Sequence, residues 1–86
     1  MEREIYELYP QYDKRQSFYH KAYVVIENGI RMLYSYGTLV AKIYEGQAVV
    51  LNDAFCSITT FRHVKEFLKQ NSFTAENRKQ VARDYM

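Results

Sequence analysis

Tryptophan is absent from this 86-residue chain, cysteine and proline occur once each, and glycine only three times. A lone cysteine, Cys56, excludes an internal disulfide and predicts a reducing compartment. No apolar run approaches the length of a membrane span, and the acidic, interrupted opening lacks the pattern of a signal peptide. A soluble cytoplasmic protein without a membrane partner is therefore expected. Cys-x-x-Cys and His-x-x-x-His spacings are missing, as is any cofactor fingerprint. A metal would need His20, His63, Cys56 and a carboxylate such as Asp53 to converge from separate elements, so neither metal nor cofactor is expected.

What the chain does have is tyrosine, nine of them within a hydrophobic share of 48%. Tyrosine covers apolar surface while keeping a hydroxyl that needs water or a hydrogen bond, which suits the rims of cores and the centres of interfaces. A chain this short forms one domain and buries a modest share of its surface, so a partner or a second copy in a homodimer would add to its stability. The net charge of +2 hides a gradient. Glu2, Glu4, Glu7 and Asp13 face only Arg3 in the first segment, whereas Arg62, Lys65, Lys69, Arg78, Lys79 and Arg83 outnumber the acids after Ala54. Nucleic acid is permitted as a partner by that basic third, although phosphate-gripping domains of this size carry a larger excess.

Residues 1–16 read as an acidic N-terminal arm or a short helix, in which Ile5, Leu8 and Tyr9 lie at near-helical spacing before Pro10. Residues 17–86 read as a single α+β domain. Ser17 to Glu27 is rich in aromatic and β-branched residues and ends at Asn28-Gly29, the dipeptide suited to positive φ at both corners of a hairpin. A second strand runs from Ile30 to Tyr36, Gly37 marks a bend or bulge, a third runs from Thr38 to Tyr44, and Glu45-Gly46 turns into a fourth, Gln47 to Leu51. Beyond an irregular crossing, Ile58, Phe61, Val64, Phe67 and Leu68 repeat at the spacing of one helical face, with Arg62, Lys65, Glu66 and Lys69 on a solvated one. Asn71-Ser72 stops that helix, Asn71 being tolerant of the left-handed conformation used there, and Thr74 to Asn77 can cap a short C-terminal helix. The expected fold is a four-stranded antiparallel β-meander with one helix packed on a face and a short C-terminal helix beside it.

A two-residue hairpin loop pairs Glu27 with Ile30, Val25 with Met32, Tyr23 with Tyr34 and Lys21 with Tyr36. One face then carries Tyr19, Lys21, Tyr23, Tyr34 and Tyr36, the other Ala22, Val24, Ile26, Leu33 and Ser35, and both are apolar enough to receive the helix. If the tyrosine face is open, its rings interleaved with Lys21, and with Arg62 and Lys65 elsewhere, form a candidate contact surface for protein or single-stranded nucleic acid. If the helix covers it, the hydroxyls point outward at the rim.

Ser57, Thr59, Thr60 and Arg62 gather at the start of the main helix, where a hydroxyl caps a free N–H and the same donors attract an anion. Simple capping outweighs anion contact. His63 is a conceivable base for Ser57, Thr60 or Cys56, but no acid stands at a spacing that orients it.

Ser17-Phe-Tyr-His-Lys-Ala22, Leu33-Tyr-Ser-Tyr-Gly-Thr-Leu-Val-Ala41 and Ser57-Ile-Thr-Thr-Phe-Arg-His-Val-Lys-Glu-Phe-Leu-Lys-Gln70 together resemble a family of small uncharacterised proteins of phages and bacterial mobile elements, over Tyr12 to Phe73. The resemblance implies a genomic setting rather than a chemistry. Small proteins from that setting include cofactor-free inhibitors of host defence, such as anti-CRISPR proteins. The expected function is therefore non-catalytic binding of a host protein or ribonucleoprotein in the bacterial cytoplasm. A modest nucleic-acid-binding module is the alternative, and a small enzyme using His63 comes third.

Overall fold

The computed structural model describes residues 3–86, so Met1 and Glu2 of the N-terminal arm lie outside the described residues. Strands β1 (Arg3–Glu7), β2 (Ala22–Glu27), β3 (Ile30–Ser35), β4 (Thr38–Tyr44) and β5 (Gln47–Val50) follow chain order across one antiparallel sheet. A 3-10 turn (Asn52–Phe55) leads to helix α1 (Ile58–Gln70), and α2 (Arg78–Tyr85) ends the chain.

The class is α+β, and the sheet has five strands rather than four. The added strand is β1, which is extended and not a short helix: its residues pair with β2 from Arg3 opposite Glu27 to Glu7 opposite Tyr23. The physical reason lies in β2, whose β-branched residues form a strand with hydrogen-bonding groups on both edges. β3 satisfies one edge and the N-terminal segment the other. Strand β2 also starts later than Ser17. Tyr19 and His20 both adopt left-handed backbone (φ 54° and 64°) in a bend that closes with the Lys21 N–H donating to the Phe18 carbonyl at 3.0 Å.

Asn28-Gly29, Tyr36-Gly37 and Glu45-Gly46 have positive φ at both positions and form the three tight turns of the meander. Two left-handed corners match the right-handed twist of the flanking strands. Gly37, at φ 81°, is therefore a hairpin corner, and the bulge falls inside the strand pair instead. Leu33 opposes Ala41 and Tyr34 opposes Leu39, leaving Val40 as the extra residue, so Val40 and Ala41 are both buried. The hairpin register is as the Asn28-Gly29 loop requires, with Val25 opposite Met32 and Tyr23 opposite Tyr34.

The core lies on one side of the sheet, where Ala22, Val24, Leu33, Ala41 and Val50 form one cluster with Phe61, Val64, Phe67, Leu68 and Val81. Small and aliphatic side chains let a helix approach the sheet closely, whereas tyrosines buried there would lack partners for their hydroxyls. Ile58, expected on the buried stripe, sits on the first turn and is 71% exposed. At the other end of α1, Ser72 rather than Asn71 takes the left-handed conformation (φ 69°), and the Asn71 side-chain amide donates to the Phe67 carbonyl at 2.8 Å.

Glu66 departs from the solvated face expected for it. It is 1% exposed, and its carboxylate accepts the backbone N–H groups of Gln11, Tyr12 and Asp13 at 2.8, 2.9 and 3.0 Å. The Gln70 amide donates to it at 2.6 Å and to the Tyr9 carbonyl at 2.7 Å. A single carboxylate thus fastens the long β1–β2 connection to α1.

Candidate functional site

Directly opposed residues of an antiparallel ladder share a face, so the registers define the side of the sheet away from α1. One row runs Ile5, Val25, Met32, Lys42, Val49, and another Glu7, Tyr23, Tyr34, Leu39. Tyr44 extends the surface beyond Lys42 by strand alternation. Ile5 is 59% exposed, Tyr44 48%, Val49 38% and Tyr23 37%, while Val25 at the centre is covered by its own neighbours to 6%. This is a broad apolar and aromatic surface with no helix over it among the described residues.

Its corner is polar. Glu7 Oε1 lies 2.7 Å from His20 Nδ1 and accepts the Tyr9 hydroxyl at 3.3 Å, and the His20 backbone N–H donates to Oε2 at 3.2 Å. The Glu7 charge beside the Tyr9 phenol raises its pKa above the ordinary 10.0, so Tyr9 stays a neutral donor.

The sequence-derived contact residues do not form one surface. Tyr23 and Tyr34 sit side by side on the open face, and exposed Lys21 precedes them in the strand direction. Tyr19 lies in the preceding bend, 67% exposed. Tyr36 occupies the β3–β4 turn, and its ring centroid is 5.8 Å from that of His63, on the helix side of the sheet. Arg62 and Lys65 belong to the outer surface of α1, where Arg62 lies 3.9 Å from Asp13 and the Lys65 ammonium is 5.8 Å from the Phe61 ring centroid.

The hydroxyl cluster also separates. Ser57 is the N-cap of α1, its Oγ accepting the Thr60 N–H at 3.1 Å. Thr60 is buried, with its Oγ1 3.1 Å from Ser57 Oγ and 3.3 Å from Ser35 Oγ; Thr59 has no side-chain hydrogen bond among the described residues. Arg62 turns toward Asp13 and away from them. The geometry is that of a cap, continued inward as a buried hydroxyl chain. Replacing Ser57 with Ala should lower the unfolding free energy by about 1 kcal/mol, and Thr59→Ala should stay within about 0.5 kcal/mol of the parent in urea titrations.

His63 is fully buried and meets Ser35, with Nδ1 2.7 Å from Ser35 Oγ, rather than Ser57 or Cys56. Its ring lies 4.5 Å from that of Phe18, centroid to centroid, and Nε2 has no hydrogen-bond partner among the described residues. Burial lowers the His63 pKa to about 4, Arg15 adding to the depression and Asp13 opposing it, so the imidazole is neutral at neutral pH. Beside this network a cavity of about 310 Å³ opens between Ser35, Tyr36, Thr38, Asp53, Cys56 and Thr60. Asp53 and Cys56 share its wall, while His20 stands at the Glu7 corner and His63 is sealed against Phe18. Among the described residues no three of His, Cys, Asp and Glu come together in a metal-binding group.

Sequence reasoning missed the contact of Ser35 with His63, the clasp at Glu66, and the β1 and β5 contributions to the open face. Tyr44 was among the aromatics the sequence set between bases, and extending the alternation through the second hairpin would have added Lys42 and Val49. Nothing in the local pattern marks Glu66 beyond its position next to Phe67.

Fold and site together define a small α+β domain whose sheet has one helix-covered and one open face. By sequence the chain belongs to the family of unknown function DUF8033, whose family model matches residues 6–83. That span takes in β2 to β5, α1 and parts of β1 and α2, more than the Tyr12 to Phe73 stretch that carried the resemblance. No curated protein and no solved structure matches the chain. Among the described residues no helix is long and apolar enough to cross a membrane.

Proposed function

We infer that this domain is a non-catalytic binding module that engages a macromolecule through the open face of its sheet, and that the macromolecule is a protein. The observation that carries the reading is the uncovered surface of Ile5, Tyr23, Met32, Tyr34, Tyr44 and Val49. A face of tyrosine and aliphatic side chains has the composition of a protein interface core. On the same face Arg3, Lys42 and, at its end, Lys21 stand against Glu7 and Glu27, a single excess charge rather than the track of cations that a nucleic-acid reader needs beside its rings. The resemblance to proteins of phages and mobile elements supports a host protein or ribonucleoprotein as the partner class, and inhibition of a host defence system as the role.

Affinity purification from a bacterial host, with nuclease treatment and a salt series, tests this reading. Capture should survive nuclease, change little with salt and be lost in a Tyr23→Glu, Val49→Glu variant that remains folded. Capture that disappears with nuclease, falls steeply with salt and depends on Arg62 and Lys65 would instead support the nucleic-acid module. The small-enzyme alternative predicts a hydrolytic or transfer activity that His63→Ala abolishes without unfolding the chain.

A further inference from the structure

The outer edge of β1 is a second surface, distinct from the open face. No described strand pairs with it. The Leu8 N–H donates to the Ala22 carbonyl at 2.9 Å, and ladder alternation then turns the amides of Glu4 and Tyr6 toward β2. The N–H and C=O groups of Arg3, Ile5 and Glu7 are left at the edge. β1 is also uncovered on both faces, since Ile5 on the open side is 59% exposed and Tyr6 on the helix side, beyond the reach of α1, is 39% exposed. An extended edge with apolar side chains on both faces invites another strand.

The sequence of the strand, Arg3-Glu-Ile-Tyr-Glu7, selects which one. Set antiparallel to itself about Ile5, it places Ile5 opposite Ile5, Arg3 opposite Glu7 of the other copy, and Glu4 opposite Tyr6. Each charge that would repel an arbitrary strand meets an opposite charge or a phenol. With Arg3, Ile5 and Glu7 as the outward-bonding residues, the Ile5–Ile5 pair and both Arg3–Glu7 pairs are hydrogen-bonded ones, and the Glu4–Tyr6 pairs lie between them. In a parallel or shifted register, Glu7 or Glu4 would face a like charge or an apolar side chain.

We propose that the free edge of β1 is the interface with a second copy of this chain, paired antiparallel about Ile5. The two sheets then join into one. A two-fold axis normal to the sheet keeps both open faces on the same side, so the tyrosine surface is doubled while the two α1 helices share the opposite side. The inference does not depend on what the open face binds.

Sedimentation equilibrium tests it directly. The full chain should show a reversible monomer–dimer equilibrium. Ile5→Lys, a change at an exposed position, should raise the dimer dissociation constant about tenfold or more by opposing two ammonium groups at the axis, and Arg3→Glu should weaken it in the same direction. In a Cys56→Ser background, Ile5→Cys should cross-link covalently on oxidation, because opposed hydrogen-bonded residues stand about 5.5 Å apart at Cα, within disulfide range. Val49→Cys, at the opposite edge, should not. A chain that stays monomeric at every concentration overturns the proposal. So does a dimer indifferent to Ile5→Lys that cross-links through Val49→Cys.

Discussion

Glu66→Ala should lower the unfolding free energy by about 3–4 kcal/mol, a loss on the scale of truncating a large core side chain. The carboxylate is 1% exposed and accepts three consecutive backbone N–H groups and the Gln70 amide. Hydrogen bonds to a charged acceptor are each worth about 1.5–3 kcal/mol, and donors left without a partner forfeit their hydration as well. The loss falls below the simple sum because residues 11–13 are at the surface, and water can reach some of the freed amides. Glu66→Gln keeps an acceptor oxygen but turns an NH₂ donor toward backbone donors, and should lose about half as much. In thermal unfolding, Glu66→Ala should shift the midpoint down by about 15–25 °C, a scale set by the small unfolding entropy of a domain this size. Loss within 0.5 kcal/mol, measured by urea titration at about pH 7, would contradict a stabilising role for the clasp.

The second large effect is a pH dependence. His63 has a folded pKa of about 4 against 6.5 in the open chain, chiefly because burial disfavours the imidazolium. The unfolded chain therefore takes up this proton first as pH falls. Stability contributed by neutral His63 is complete above pH 6.5, declines through the window between 6.5 and about 4, and changes no further below it. Over that window the loss amounts to about 3 kcal/mol. Carboxylates titrate in the lower part of the same range, so the diagnostic quantity is the difference from His63→Gln, which keeps an amide near Ser35 and cannot ionise there. The parent should lose about 3 kcal/mol more than the variant between pH 7 and pH 4. Parallel urea-stability profiles for the two proteins would show that the ring does not control the acid limb.

Much of the architecture was readable from short-range chemistry. Asn28-Gly29 and Glu45-Gly46 fixed two hairpins and, through them, the register that brings Tyr23 beside Tyr34. The bounds of α1 followed from a cap residue and an apolar stripe, and those of β4 from the turns on either side. What escaped has a common cause: its meaning depends on residues distant in sequence. Strand β1 has only five residues and no decisive period, and becomes a strand because β2 offers it an edge. Glu66 reads as one more exposed helical acid until three amides more than fifty positions away close on it. The open face could not be chosen from pattern alone, since both faces were apolar. Close packing of α1 on Ala22, Leu33 and Ala41 made the choice and left the tyrosines on the uncovered side. Tyr36 fell on the helix side because it stands at a hairpin corner, where strand alternation no longer applies.

Neighbouring strands in this sheet are also neighbours along the chain. The three pairings from β2 to β5 each close a two-residue turn, so assembly can zip from these hairpins with little entropic delay, at the rapid end of the range for small mixed domains. The clasp joins positions 55 apart between Gln11 and Glu66 and lies outside that local sequence of events. Stopped-flow kinetics of Glu66→Ala should accordingly show a nearly unchanged refolding rate and an accelerated unfolding limb, placing the seal on the native side of the barrier.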